Sequence, residues 1–576
     1  MLQKSHFSPI SKSDFFISLQ KMFKNNIKLL ILIFFIALLL RIVKLDTHPV
    51  GFHADEVRVA WNSLSILTTG KDDRRNFLSL YYNTFGDYRP TGIFYITIPS
   101  LLLFGRTEFA VRFPSALLGA LTVFPLYLFV GEISRKKSKL LLIPSFLLAI
   151  SPWHIEVSRA TSEVVMSVFF ALFSLYFLLK TIRTQKNNYA FLSCFSIGVS
   201  FLFYHSIRFL APLFFLATII FYLRQIRVSK NKKIVYGTLI FVFFLTFLFN
   251  TTAEARKRFN QVSILNDPDT AYEIERLKSE NTNPNLVRNI FDNKYTVIAR
   301  RVLIEYSSYF SPGFLIGYDA KPYRYSTPST GLLTYIEFLL LMMGLVQIVR
   351  GKKSPFPLIL LLIAPLPASL TTEDAPNLHR ALLMVPFLMI IEGFGLQSLL
   401  QLKKHFRLLK FATFAFLLLN FAFFIHMYFN HSYFHKPFIQ EYNLDASSYR
   451  NIGTKELAVR LEQIKDNYGK IIVTNFPDSP YPWYAFFTGK DPNEFNQFAV
   501  KRTQGTWQYQ NIFFTTFRCP SDDTFITETE KDILVVDAGA PNCAYEAKIK
   551  DGLEIKVVDK IPGPAGIDAY AFLERK

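Results

Sequence analysis

The chain has 576 residues, 51% of them hydrophobic, and 64 Lys+Arg against 44 Asp+Glu leave a formal net charge of +20. A soluble chain interleaves its apolar residues with charge, whereas here they come in blocks such as 29–40, 241–249 and 358–363. Several blocks sit in near-uncharged runs of about 17–25 residues, the length that spans ~30 Å of hydrocarbon, so a soluble, disordered or collagen-like chain is excluded.

The positive charge also has to be placed. It clusters at the ends of apolar runs: Arg135-Lys136-Lys137 with Lys139, then 224–233, Arg350/Lys352/Lys353 and Lys403/Lys404/Arg407. That is the pattern of cytoplasmic loops in a polytopic membrane protein, and no nucleic-acid partner is expected.

Taken in chain order, the expected spans are 28–45, 109–132, 140–157, 163–182, 188–204, 208–223, 234–250, 328–349, 355–370, 380–398 and 410–429. The first follows Lys21, Lys24 and Lys28, which places residues 1–27 in the cytoplasm, and no small-residue cleavage site follows it. The apolar stretch 93–104 reaches only about 18 Å as a helix, too short to cross. Treated as interfacial, it leaves every later basic loop on the cytoplasmic side, and eleven spans result. Residues 28–429 then form the membrane domain, with outer loops at 46–108 and 251–327. The tail 430–576 loses the apolar blocks. A helical pattern near 455–466 and β-like runs at 471–473, 533–536 and 553–558 predict a small extracytoplasmic α/β domain.

Cys194 lies in an apolar span and reads as a packing residue. Cys519 and Cys543 fall in the outer domain, where a disulfide is slightly favoured over two free thiols.

This topology gathers polar residues on the outer side. The first loop opens with His53-Ala54-Asp55-Glu56-Val57-Arg58, and in a helix Asp55 and Glu56 point about 100° apart. Asp55 and Arg58 share a face. From the local sequence alone, Asp55 is more simply a helix-capping residue. Further outer segments carry Arg89-Pro90, then Trp153-His154 with Arg159 and Glu163, then His379-Arg380. Each alone is explained as an interfacial anchor. Together they place carboxylates and cations from at least four segments on one membrane face, where ionisable groups are costly unless they serve a partner.

The run Asp55-Glu56-x-Arg58-x-Ala60 resembles the first-loop signature of the protein O-mannosyltransferase and aminoarabinose-transferase families, which are glycosyltransferases of the C-type (GT-C) fold. Arg89-Pro90 is similar to the basic-Pro element before their interfacial helix, and residues 104–115 to the junction after it. Ser151-Pro152 with Ser158-Arg159 resembles the next outer turn, and His379-Arg380 a basic pair of bacterial members. Thr91-Gly92 depart from the pattern, in which a second Pro or a small apolar residue is usual, and the tail is not the mannosyltransferases' lumenal module.

The resemblance implies a polyprenyl-phosphate-linked sugar donor in the membrane and a protein, lipid or glycan acceptor. It implies Asp55 as general base, with Glu56 and Arg58 orienting it. Arg89, Arg159 and the pair His379-Arg380 are implied as phosphate contacts, and His154 and Glu163 as sugar or acceptor contacts. Some C-type enzymes use a divalent metal. Asp55, Glu56 and Asp87 do not make a recognisable ligand set, so no cofactor is assigned and a divalent metal is left open. The expected location is a bacterial plasma membrane with the site facing outward, and loop 251–327 is either a lid or an ordinary surface loop. The rival readings are a flippase of lipid-linked glycans, which would favour charged residues at mid-span, and a polysaccharide polymerase or ligase.

Overall fold

The structure is a computed structural model that describes residues 12–84, 87–134, 138–229, 231–280, 289–327, 329–431, 451–474, 481–499, 502–503, 506–515, 532–537, 555–563 and 568–575. The basic triplet 135–137, Cys519 and Cys543 lie outside the described residues, as does the side chain of Asp87.

Each expected span contains helix, but 328–349 is helical only from Tyr335 and 355–370 has its α-helix only over Phe356–Ile363. The first block rides on α1 (Lys12–Ile42). Five helices among the described residues are long and apolar enough to cross a membrane: Glu108–Ser134, Glu163–Thr184, Lys232–Asn250, Leu382–Leu400 and Arg407–His431. A sixth arises if Lys139–Ile150 and Pro152–Arg159, bent by 52°, count as one. The bend falls where Pro152 has no N–H to continue the ladder, and Ser151 caps the second half by accepting the His154 amide. The remaining expected spans coincide with shorter helices, including Asn187–Phe201, His205–Phe221 and Tyr335–Val349.

The helix Leu382–Leu400 is the hub of the bundle, 94% of its apolar window being buried against 17% for Lys232–Asn250 and Arg407–His431. It packs closely on Tyr335–Val349 because Gly344 and Gly395 leave no side chain between the backbones. A Cβ at Gly344 would collide with the Ile391 carbonyl, and one at Gly395 with that of Leu340.

The first outer loop builds α2 (Ala54–Thr69), a hairpin of β1 (Tyr81–Thr84) with β2 (Asp87–Pro90), and α3 (Gly92–Phe104). At 13 residues α3 is the short helix that the sequence predicts. The helix α2 starts through a capping box: the His53 ring accepts the Asp55 amide at 3.1 Å, and the Glu56 carboxylate accepts the His53 amide at 3.2 Å.

Among the described residues the tail forms a mixed sheet of seven strands: β3 (Lys470–Val473), β4 (Arg502–Thr503), β5 (Thr506–Tyr509), β6 (Ile512–Phe514), β7 (Ile533–Asp537), β8 (Ile555–Pro562) and β9 (Asp568–Arg575), in the order β4-β5-β6-β3-β7-β9-β8. Only the central β3 pairs in parallel, with β6 and β7, and β7 is buried along its whole length. The helices Tyr481–Phe487 and Pro492–Ala499 press this domain against α2. The Trp483 indole donates to the Phe52 carbonyl at 2.8 Å and the Trp61 indole to Asn496 at 3.0 Å. The helix that carries Asp55 is thereby clamped from outside by the tail.

Candidate active site

The adjacent carboxylates of α2 go to opposite duties, as their 100° separation requires. Glu56 is buried and meets Arg112 through two parallel hydrogen bonds of 2.8 and 2.9 Å, while Thr161 donates to it at 3.3 Å. Arg112 also donates to the carbonyls of Leu45 at 3.1 Å and Gly51 at 2.6 Å, tying the end of α1 to the start of α2. Glu56 thus holds the loop together and does not face the cleft.

Asp55 does. It lies where two hollows meet. The larger has about 1170 Å³ of empty space, partly open to solvent, and is walled by Arg89, Glu163, Arg258, Arg324, His379 and Arg380 among others. The smaller, of about 410 Å³, is bounded by Arg58, Tyr82, Phe94 and Thr161, and shares Asp55, Arg89 and Glu163 with the first.

Cations from three elements converge on the Asp55 carboxylate. Arg89 Nη1 on β2 is 2.9 Å from Oδ1, and Arg58 Nη1 is 3.9 Å from the same oxygen. Arg324 Nη2, on the turn Tyr323–Tyr325 of the long outer loop, is 3.7 Å from Oδ2. Burial acts to raise the Asp55 pKa, but Arg89, then His53, Arg324 and Arg58, outweigh it and hold the carboxyl well below its ordinary value.

His379 enters the cleft in a different guise from that expected. Its ring stacks on Tyr325 with centroids 5.0 Å apart, and Nε2 lies 3.0 Å from the Ser162 hydroxyl. Burial first, then Arg324, Arg89 and Arg380, pushes its pKa down to about 3, so the ring is neutral among these arginines. Arg380 is charged but committed: it donates to Thr371 Oγ1 at 2.8 Å and the Glu373 carbonyl at 2.7 Å, and pairs with the Glu373 carboxylate. Arg258 reaches the same Glu373 at 3.4 Å.

Two expected residues are not brought to the cleft. Arg159 is fully buried and donates to the carbonyls of Leu40 at 2.9 Å, Val43 at 2.7 Å and His48 at 3.0 Å, and to the Tyr428 hydroxyl at 3.1 Å. It serves the C-terminal end of α1, where unpaired carbonyls need donors. His154 is equally buried, and its Nδ1 accepts from Arg41 at 3.0 Å. The family resemblance placed both at the site, but the bend at Ser151-Pro152 turns them into the bundle.

Conversely, Arg324 and Tyr325 line the cleft and were expected only as part of loop 251–327, read as either a lid or an ordinary surface loop. The long loop is mostly helical, and its end is fixed by a hydrogen bond from Thr327 to the buried Glu156. Their only sequence signal is the Tyr-rich run 318–325 with one Arg, which carries no motif. Among the described residues no group of three or more His, Cys, Asp and Glu converges to hold a metal. Guanidiniums crowd Asp55, and Glu56 is engaged by Arg112.

Residues 88–249 match the family described as Dolichyl-phosphate-mannose-protein mannosyltransferase. A curated relative, the putative mannosyltransferase YkcB of Bacillus subtilis (strain 168), is 30% identical over 147 residues, which are 26% of this chain and 20% of the relative. The match thus spans about a fifth of that relative's length. ArnT from Cupriavidus metallidurans bound to undecaprenyl phosphate is 12% identical at a TM-score of 0.49, over 94% of this chain and 97% of that one. The oligosaccharyltransferase AglB from Archaeoglobus fulgidus, in complex with an inhibitory peptide and a dolichol-phosphate, is 13% identical at a TM-score of 0.47, over 81% and 64% of the two chains. The family match takes in Arg89 and Glu163 and leaves Asp55, Arg324 and His379 outside it.

Proposed function

We propose that the protein is an inverting glycosyltransferase that moves a sugar from a polyprenyl-phosphate donor to a hydroxyl acceptor, on the extracytoplasmic face of a bacterial plasma membrane. The observation that carries this reading is the position of Asp55, a carboxylate between two hollows with arginines on the larger one. The family match over 88–249 supports the same class.

The chemistry needs a base for the acceptor hydroxyl and cations for the leaving phosphate. Asp55 takes the proton. Arg89 and Arg324 face the phosphate, where a planar guanidinium suits its oxygens. Glu163 borders both hollows and is assigned to sugar or acceptor hydroxyls. Arg58 orients Asp55, and Glu56 with Arg112 fixes the turn that presents it.

The lipid tail has a route as well. The larger hollow is edged by Phe209, Phe259, Val262 and Leu370. From Phe209 an exposed apolar row continues along its helix through Leu213, Leu216 and Ile220, at the spacing of one helix face. A phosphate in the cleft and a prenyl chain along this row are compatible with one bound molecule.

The test is sugar transfer from radiolabelled polyprenyl-phosphate mannose by the purified protein, with membrane extract as acceptor source. The glucose and arabinose donors follow if mannose is not transferred. Asp55→Asn is expected to abolish turnover and to leave donor binding in place. Near-normal turnover by this variant would remove Asp55 as the base, and no transfer from any donor would remove the enzyme reading.

A further inference from the structure

Flanked by these cations, Asp55 is a poor base. Both its oxygens face guanidiniums, and it sits in the first turn of α2, where the helix dipole also favours its charged form. The cations nearest to it are not all its own. Arg58 belongs to the same helix, but Arg89 comes from β2 and Arg324 from the long outer loop, and both of these also wall the larger hollow. Arg380 and Arg258, across that hollow, are turned toward Glu373.

Building on the glycosyltransferase reading, we infer that Asp55 and the donor phosphate compete for Arg89 and Arg324, so that binding of the donor is what converts Asp55 into a working base. Arg324 is then a positioning residue that couples the long loop to the reaction.

The charge balance of the transfer favours such sharing. The bound donor is a phosphodiester with one negative charge. The acceptor oxygen forms a bond to the anomeric carbon, and the bond from that carbon to the phosphate oxygen breaks, its electron pair going to the phosphate. The acceptor proton goes to Asp55. One negative charge has therefore disappeared from Asp55 and appeared on the phosphate. Guanidiniums standing between the two groups follow that charge over a short distance, stabilising the carboxylate before the transfer and the phosphate after it. A cation that served the phosphate alone would leave the half-buried Asp55 with only Arg58 and His53 beforehand, and one that served Asp55 alone would oppose its protonation.

The experiment measures affinity for undecaprenyl phosphate on the full-length protein in lipid nanodiscs, for wild type, Asp55→Asn, Arg324→Gln and the double variant. Asp55→Asn is expected to bind about tenfold more tightly than wild type, because it frees the shared arginines, and this gain should shrink to about twofold in the Arg324→Gln background, the coupling expected of residues in one network. Arg324→Lys keeps the charge and should restore most of the gain. If Arg324→Gln does not fold, Arg89→Gln closes the same cycle from the other side.

An equal gain in both backgrounds overturns the inference, since relief of like-charge repulsion alone predicts that result. So does no gain at all. Those outcomes leave the glycosyltransferase reading standing. Failure of both wild type and Asp55→Asn to bind undecaprenyl phosphate overturns the reading and the inference together.

Discussion

Glu56 and Arg112 are both buried and are joined by two hydrogen bonds of 2.8 and 2.9 Å, and this pair decides which way its neighbour Asp55 points. Removing one partner of a buried pair leaves an uncompensated charge. Glu56→Ala is therefore expected to cost about 3–5 kcal/mol of stability. Thermal unfolding of the detergent-solubilised protein reads this directly. A Glu56→Ala protein as stable as wild type would show that the pair is not what holds the loop.

Arg89 and Arg159 make a contrasting pair. Arg89 faces Asp55 and the cleft, so Arg89→Gln is expected to lower kcat by about 10²-fold, the scale for losing one preorganised donor, with unfolding nearly unchanged. Arg159 holds carbonyls of α1 and the turn after it, so Arg159→Gln is expected to lower stability by about 1–3 kcal/mol and to leave the donor KM alone. Steady-state kinetics and unfolding on the two variants should separate cleanly. An increase in donor KM for Arg159→Gln would return that residue to the site.

The neutral state of His379 makes a pH prediction. Its folded pKa, about 3, lies below the ordinary value of 6.5, so the unfolded chain binds the proton more readily in between. Stability contributed by neutral His379 is complete above about 6.5 and is lost as pH falls toward 3. His379→Gln keeps a hydrogen-bonding group beside Ser162 without titrating. Its stability should fall less steeply than that of wild type between pH 6.5 and 4, a window set by the same shift. Parallel curves would mean that His379 takes up its proton as readily in the folded protein as in the unfolded chain.

The docking of the tail on α2 is also open to test. Asn496 accepts from Trp61 at 3.0 Å and donates to Ser65 at 2.8 Å, and all three are buried. Asn496→Leu leaves the buried indole N–H without its partner, at about 1–3 kcal/mol, while the Ser65 hydroxyl keeps its bond to the Lys71 carbonyl. Limited proteolysis should then cut the tail faster than in wild type. Because α2 carries Asp55, transfer should fall as well.

Period and composition were enough for the elements. Apolar blocks of span length became helices, α3 is as short as its 12 predicted residues required, and three of the seven strands were foreseen from β-branched runs. The third of these, expected at 553–558, runs from Ile555 to Pro562, because pairing with β9 and not the local pattern sets its end. Strand β5 alternates, but over four residues only, while β4, β6 and β9 carry no clear alternation; all four take their place from neighbours already in the sheet.

At the site, sequence by itself determined the local facts: that Asp55 and Glu56 diverge on one helix, that Arg58 shares a face with Asp55, and that outer segments carry the cations. It did not determine which of those cations meet Asp55. Arg159 and His154 looked as eligible as Arg89, and Arg324 offered no motif. Only the tertiary structure decided this, through the bend at Ser151-Pro152, the hairpin that lifts Arg89, and the loop end pinned at Thr327. The physical reason is range. Helical and strand periodicity report neighbours within a few residues, whereas Asp55 and Arg324 meet only once distant segments have packed, and the field that holds Asp55 ionised exists only after they do.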